Sequence, residues 1–294
     1  MKVLNNISLK KFTTIKIGGN SSKIYFPASI SDLISLKDII MLKKTLILGK
    51  GSNIAFKDQG YKSNIISLKY FNKKKIEDCN KIINVMAGVS CAKFSKFCYK
   101  NRIAGFEFVH GIPGSIGGAL AMNAGAFGDE IWNHVSSVRC ILNNGKVYSF
   151  KRREIKTSYR FVEKFNIKLF LDVNIHINKL KRFDTSLLSR YSKHRSETQP
   201  VKQWSSGCIF KNPSKKVSAS SLIDSAKLSK EKVGGIYISK KHCNYLINDG
   251  TGTCHDLEDL IGYIRNRINR KYNILLNKEI CICLLYTSPS PRDS

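Results

Sequence analysis

No window of the 294-residue chain reaches the roughly 18 consecutive apolar residues that a spanning helix needs, and residues 1–12 lack the apolar core of a signal peptide. Both absences point to the cytoplasm. Nine cysteines are present, an odd count without a single Cys-x-x-Cys pair, so neither a disulfide framework nor a zinc site is signalled. Most should be small buried apolar side chains in a reducing compartment. Proline is scarce at 6 residues, and 42% hydrophobic against 24% charged residues excludes a disordered or fibrous chain. Acidic residues are the other scarcity: 21 stand against 50 Lys+Arg, for a net charge of +29. Such an excess attracts phosphate backbones, anionic membranes or small anions, so a nucleic-acid-binding protein is a genuine alternative.

The distribution of charge weakens that alternative. Residues 101–150 carry three basic residues (Arg102, Arg139, Lys146) and three acidic ones (Glu107, Asp129, Glu130), so the excess lies in the flanks. There lysines alternate with Asn, Ile and Ser, without a long basic arm, a basic recognition helix or aromatics interleaved with Lys/Arg on a strand. Solvated faces are the simpler reading, with neither nucleic acid nor membrane as partner.

Short apolar strands and periodic helices alternate along the chain, an α+β pattern. Strands are expected at Lys23–Phe26, Leu46–Leu48, Ile82–Val85, Val135–Leu142, Ile167–Ile177, Gly235–Ser239 and Asn244–Ile247, and helices at Ile30–Met41, Ser90–Asn101, Ser220–Ala226 and Cys254–Tyr272. The last places Leu257, Leu260, Ile261, Ile264 and Ile268 on one face behind a Thr253-x-x-Asp256 capping box. A polar stretch, Lys179–Lys202, divides the chain and is expected to carry a helix of its own. Residues 284–294 switch abruptly to Ser/Pro and read as a non-native tail.

Two glycine-rich loops carry the chemical signal. In Leu46–Asn53 an apolar strand runs into Gly49-Lys50-Gly51-Ser52-Asn53, a turn able to present backbone N–H groups as an anion nest. It lacks the third glycine of a dinucleotide fingerprint and the Gly-Lys-Ser/Thr of a P-loop, and a plain strand-to-loop turn remains open. From Gly111 to Gly128 there are six glycines and one proline in 18 residues, which fits either a backbone pressed against a flat or phosphorylated ligand or tightly packed turns. Two nests together could grip one pyrophosphate.

Six motifs then follow in order: Thr14-Ile15-Lys16-Ile17-Gly18-Gly19, Leu48–Asn53, Gly111–Gly118, Asn123-Ala124-Gly125, Ser206-Gly207-Cys208-Ile209-Phe210-Lys211-Asn212-Pro213 and Ser239-Lys240-Lys241-His242. Over residues 6–283 the chain resembles the UDP-N-acetylenolpyruvoylglucosamine reductase (MurB) family, in its compact branch. The resemblance implies a two-part FAD-binding module of the vanillyl-alcohol-oxidase (PCMH) type, residues 1–70 and 71–180, followed by an α+β substrate-binding domain, 181–283. It also implies FAD as cofactor, NADPH as reductant, and reduction of UDP-N-acetylglucosamine enolpyruvate to UDP-N-acetylmuramate by hydride from flavin N5, in a monomer. Gly49, Gly51, Ser52, Asn53, Gly114, Ser115, Gly117, Gly118 and Asn123 would face FAD. Another FAD-dependent oxidoreductase of the same superfamily is the second reading.

Hydride addition to an enolpyruvyl ether leaves negative charge beside the carboxylate, so a site must stabilise an enolate and supply a proton. The resemblance assigns the first task to Arg160 of Tyr159-Arg160, whose planar fork suits a carboxylate, and to Glu279. Phe161-Val162 follows where the family usually has serine. The proton donor of the family is usually serine in Gly-Ser-x-Phe-Lys-Asn-Pro, and here cysteine stands in its place. Cys208 is therefore the expected donor, since a free thiol with a pKa of roughly 8.5 is far more acidic than an alkyl hydroxyl and still mostly protonated near neutrality. Tyr159, Arg195, Lys211 and Asn212 would contact the sugar nucleotide. His242 reads as structural, and His110, His134, His176, His194 and His255 have no metal-ligand spacing.

Overall fold

The computed structural model describes residues 1–71, 76–79, 81–163, 166–177 and 182–283. The expected boundary between 180 and 181 and the 284–294 tail lie outside the described residues. The chain forms two interleaved units: Met1–Leu4, Ile24–Lys50 and Asn64–Glu197 make the first, and Asn5–Lys23, Gly51–Ser63 and the chain from Thr198 onward make the second.

The first unit is organised on a five-stranded antiparallel sheet in the order Val147–Lys151, Val135–Leu142, Ile167–His176, Ile82–Met86, Ile76–Cys79. Its central strand is mostly apolar from Ile167 to Ile175, with Lys168, Asp172 and Asn174 as the polar positions. Asp172 is 1% exposed and accepts from Arg139 Nε at 2.8 Å and from Asn84 Nδ2 at 3.3 Å, which meets the requirement that a buried charge be paired. Helix Cys91–Lys100 buries Cys91, Phe94, Ser95 and Cys98, one stripe at helical spacing, and Ser90 caps it by accepting from Lys93 N. Phe94, Phe106, Trp132 and Phe170 anchor the core, and Trp132 Nε1 donates to Leu120 O at 2.8 Å. Each such side chain contributes about 1.5–3 kcal/mol over leaving it in water.

The second unit packs helix Cys254–Tyr272 against a three-stranded antiparallel sheet, Lys232–Val233, Ile236–Ile238 and Leu246–Asn248. A parallel pair, Ile54–Phe56 with Cys281–Cys283, joins chain segments far apart in sequence. The long helix matches its sequence expectation end to end. Asp256 N donates to Thr253 Oγ1, Thr253 N donates to Asp256 Oδ2, and Leu257, Leu260, Ile261, Ile264 and Ile268 are buried.

Several expectations need adjusting. Ile30–Met41 is two helices, Ile30–Ser35 and Lys37–Met41, because at Leu36 the backbone leaves helical geometry and its N–H tightens onto Leu33 O at 3.1 Å. The strand expected at Asn244–Ile247 is Leu246–Asn248. Asn244 spends its side chain on the backbone of Phe210, accepting from Phe210 N and donating to Phe210 O. Within the glycine-rich stretch, Ile116–Met122 is helical despite Gly117 and Gly118, since Ser115 accepts from Gly118 N and a Cβ at Gly117 would lie 2.9 Å from Ala87 Cβ. Strands Lys2–Ser8, Ile54–Phe56 and Tyr61–Ser67 were not foreseen.

Among the described residues, no helix is long and apolar enough to cross a membrane. Burial pushes the thiols of Cys91, Cys140 and Cys254 up to about 12, as small apolar side chains in a core require.

Candidate functional site

In the first unit the parallel pairing of Leu46–Leu48 with residues 65–67 delivers Gly49 to the glycine-rich helix. A cleft of about 270 Å³ lies there, lined by Gly49, Ser115, Gly117 and Gly118 together with Thr45 and Lys168. Leu46, Ile47, Leu68, Leu169 and Phe170 give it an apolar lining, and among the described residues no carboxylate lines it. The two loops are in close apposition: a Cβ at Gly49 would lie 3.1 Å from Ser115 Oγ. Gly49, Ser115, Gly117 and Gly118 thus come together as the sequence suggested. Gly114 does not line the cleft; it is buried, and its carbonyl accepts from Cys91 N at 3.1 Å.

A second cluster in the same unit surrounds Arg160. Its guanidinium donates to Asn123 O at 3.3 Å and Gly125 O at 2.9 Å and lies 5.3 Å from the Tyr159 ring. Asn123 and Arg160 both adopt left-handed backbone, at φ 43° and 53°, a strain that folded proteins tolerate where surroundings enforce it. Asn123 Nδ2 donates to Ser158 O at 2.9 Å and to Glu130 Oε2 at 2.6 Å, while its Oδ1 is buried without a hydrogen-bond partner. Nearby, Phe127 stacks on Tyr191 at 3.8 Å and 5°, and Arg195 covers Gly111 so closely that a Cβ there would lie 2.1 Å from Arg195 Cδ.

Asp129 closes this loop. Burial works against its charge, but hydrogen bonds from His134 Nε2 at 2.8 Å and Asn133 Nδ2 at 3.0 Å hold its carboxyl down at about 2. A depressed folded pKa contributes stability above the unfolded value, roughly 3.9, and that contribution disappears as pH falls through the folded value. The difference in urea midpoint between wild type and Asp129→Asn should be constant from about pH 7 to 5 and shrink between about pH 4 and 2. A difference independent of pH would show that Asp129 acts only by shape.

In the second unit backbone pairing gathers three distant positions. Glu279 N donates to Ile209 O at 2.7 Å, next to Cys208, and Phe210 pairs with Lys278. Asn53 Nδ2 donates to Glu279 O at 2.9 Å, and Asn53 O accepts from Cys281 N at 3.1 Å. Cys208, Glu279, Asn53 and Ser52 are all half-buried, so a thiol and a carboxylate sit on neighbouring backbone segments with access to a ligand. Lys211 N donates to Asn277 O at 2.8 Å and Asn212 Oδ1 accepts from Ala219 N at 3.1 Å, which holds the Phe210–Pro213 run in place. Gly51 is buried at φ 69° against Phe12. Burial lowers the pKa of His242, whose Nδ1 accepts from Asn244 N, a structural use. Among the described residues, no group of three His, Cys, Asp or Glu could hold a metal ion.

The residue that sequence reasoning passed over is Lys168. Its signal was available: a lysine inside the apolar strand Ile167-Lys168-Leu169-Phe170-Leu171.

Comparison with known proteins agrees with this layout. Residues 22–151 match the family described as FAD binding domain, and residues 199–283 match UDP-N-acetylenolpyruvoylglucosamine reductase, C-terminal domain. The chain is 34% identical over 283 residues to UDP-N-acetylenolpyruvoylglucosamine reductase of Legionella pneumophila (strain Corby), covering 95% of this chain and 92% of that protein. It is 36% identical over 280 residues to the Rickettsia prowazekii (strain Madrid E) protein of the same name, covering 93% and 92%. The crystal structure of UDP-N-acetylenolpyruvylglucosamine reductase from Thermus caldophilus superposes with a TM-score of 0.76 at 25% identity, over 96% of this chain and 99% of that one.

Proposed function

Because the chain belongs to the UDP-N-acetylenolpyruvoylglucosamine reductase family, we propose that it reduces UDP-N-acetylglucosamine enolpyruvate to UDP-N-acetylmuramate, with FAD as cofactor and NADPH as reductant, in peptidoglycan precursor synthesis. The fold is the α+β arrangement of a PCMH-type FAD-binding module with the family's C-terminal domain. The division at 70/71 and 180/181 belongs to the same proposal, as do the cytoplasmic location, a monomer as the acting species, and the lack of nucleic-acid and membrane partners.

The residues present fit a flavin nucleotide. Gly49, Ser115, Gly117 and Gly118 line the cleft beside apolar side chains, no carboxylate is among its described lining residues, and Asn123 Oδ1 is a buried acceptor with no partner. Gly49, Ser115, Gly117 and Gly118 would hold the cofactor, Asn123 and Gly114 would support that loop, and Gly51, Ser52 and Asn53 belong to the same proposal. When bound, FAD supplies the hydride chemistry that no side chain can.

The remaining tasks fall to the chain's own side chains. Arg160 holds the substrate carboxylate and the enolate charge with its fork, pre-aimed by the Asn123 and Gly125 carbonyls. Cys208 gives its thiol proton to the enolate carbon, and Glu279 orients the enolate acid. Tyr159, Arg195, Lys211 and Asn212 take the sugar nucleotide. What supports these roles most is the hydrogen bonding that gathers Asn53, Cys208 and Glu279 although Asn53 and Glu279 are 226 positions apart.

The purified protein should be yellow, bleach with NADPH under anaerobic conditions and regain its colour on addition of UDP-N-acetylglucosamine enolpyruvate. Colourless protein would overturn the reading. Colour restored by oxygen but not by that substrate would instead favour another oxidoreductase of the superfamily.

A further inference from the structure

Among the described residues the cleft is lined by one charged side chain, Lys168, and nothing in the family motifs accounts for it. Lys168 extends from a strand whose adjacent residues, Ile167 and Leu169, are only 7% and 2% exposed, and it lines the cleft together with Thr45 and Ser115. Its ammonium donates to Leu42 O at 3.0 Å, and among the described residues no carboxylate pairs with it. That bond is open to solvent, so water completes the ammonium's three donors, while partial burial of the side chain lowers its pKa. Lys168 is the one cation among the described residues that line the cleft, and no carboxylate is among them. Partial burial of a cation without a counter-ion is unfavourable, and an anion entering the cleft offsets it.

We propose that Lys168 is a cofactor-binding residue of this chain, supplying a cationic partner for the diphosphate of the flavin nucleotide in a cleft whose described lining has no other charged side chain. The inference rests on the FAD reading above. It makes Lys168 the residue that separates flavins with phosphate from flavins without it.

The test uses the full chain stripped of flavin and titrated with FAD and with riboflavin, following quenching of flavin fluorescence at low and high salt. Lys168→Met should bind FAD about tenfold more weakly, bind riboflavin within about twofold of wild type, and lose part of the salt dependence of FAD binding. Lys168→Arg should keep FAD affinity within about threefold, and a folded Lys168→Arg protein maintains the comparison if Lys168→Met is unstable. Equal weakening for FAD and riboflavin would assign Lys168 to packing and overturn the proposal, as would unchanged FAD affinity in Lys168→Met. If wild type binds no FAD at all, the FAD reading itself falls; if wild type binds FAD and the variants match it, only the role of Lys168 falls.

Discussion

Cys208→Ala should bleach with NADPH at the wild-type rate yet regain colour with enolpyruvyl substrate about 10³-fold more slowly, within the usual range for removal of a positioned general acid. The reason is a division of labour. Bleaching needs a bound flavin and reductant, and Cys208 lies on a segment held by Asn244 and by the Glu279 backbone rather than on the glycine-rich loops that would carry the cofactor. Reoxidation by substrate must deliver a proton to carbon, and that is the step a missing thiol stops. Cys208→Ser should stay within about tenfold of wild type, because a hydroxyl at the same place can donate. It should also resist inactivation by peroxide, since a half-buried thiol can be oxidised to sulfenic acid and then has no proton to give. Stopped-flow measurement of the two half-reactions separates the cases. Equal slowing of both in Cys208→Ala would remove Cys208 from the donor role and assign it to packing.

Gly51→Ala should destabilise the flavin-free protein by roughly 4 kcal/mol, the sum of left-handed strain and backbone overlap. Gly51 sits at φ 69°, and a Cβ there would lie 1.8 Å from Phe12 O and 2.9 Å from Phe12 C, main-chain atoms that cannot swing aside. The neighbouring chain is tied to the same place, since Thr14 N donates to Gly51 O at 2.9 Å. Gly128→Ala is the control: φ is 82° but a Cβ would find open space, so only the conformational cost of about 1–2 kcal/mol applies. Urea unfolding of both variants without flavin gives the comparison. An unchanged midpoint for Gly51→Ala would mean that this glycine serves only ligand approach, as the sequence motif alone suggests.

Both expectations depend on facts with different visibility in the sequence. Cys208 was legible because a six-motif resemblance located its position and the chemistry of a thiol did the rest. Gly51 was legible as a glycine that matters, but for a different reason: the motif implied a cofactor nest, whereas the close neighbour in the structure is the Phe12 carbonyl. Arg160 is proposed for a carboxylate on the resemblance alone, and its anchoring on the Asn123 and Gly125 carbonyls was not legible, because the left-handed backbone at Asn123 and Arg160 leaves no pattern in composition. Lys168 was present in plain view and unread. A lysine in an apolar strand is either at a solvated edge or in a cavity, and only the cleft beside Gly49 and Ser115 separates the two.

The chain's own order of residues determined what local physics can determine. The helix Cys254–Tyr272 appears where a capping box and a 3.6-residue apolar stripe require it, and the strand Leu46–Leu48 where a short apolar run stops at Gly49. The +29 charge was also legible as a general surface property, because the glycine-rich stretch that would hold the cofactor is neutral. Tertiary structure alone decided the meeting of Asn53, Cys208 and Glu279, the seat of Arg195 on Gly111, and the break at Leu36. The first two depend on hydrogen bonds and close contacts between residues tens to hundreds of positions apart, and such pairings have no period for a sequence to display.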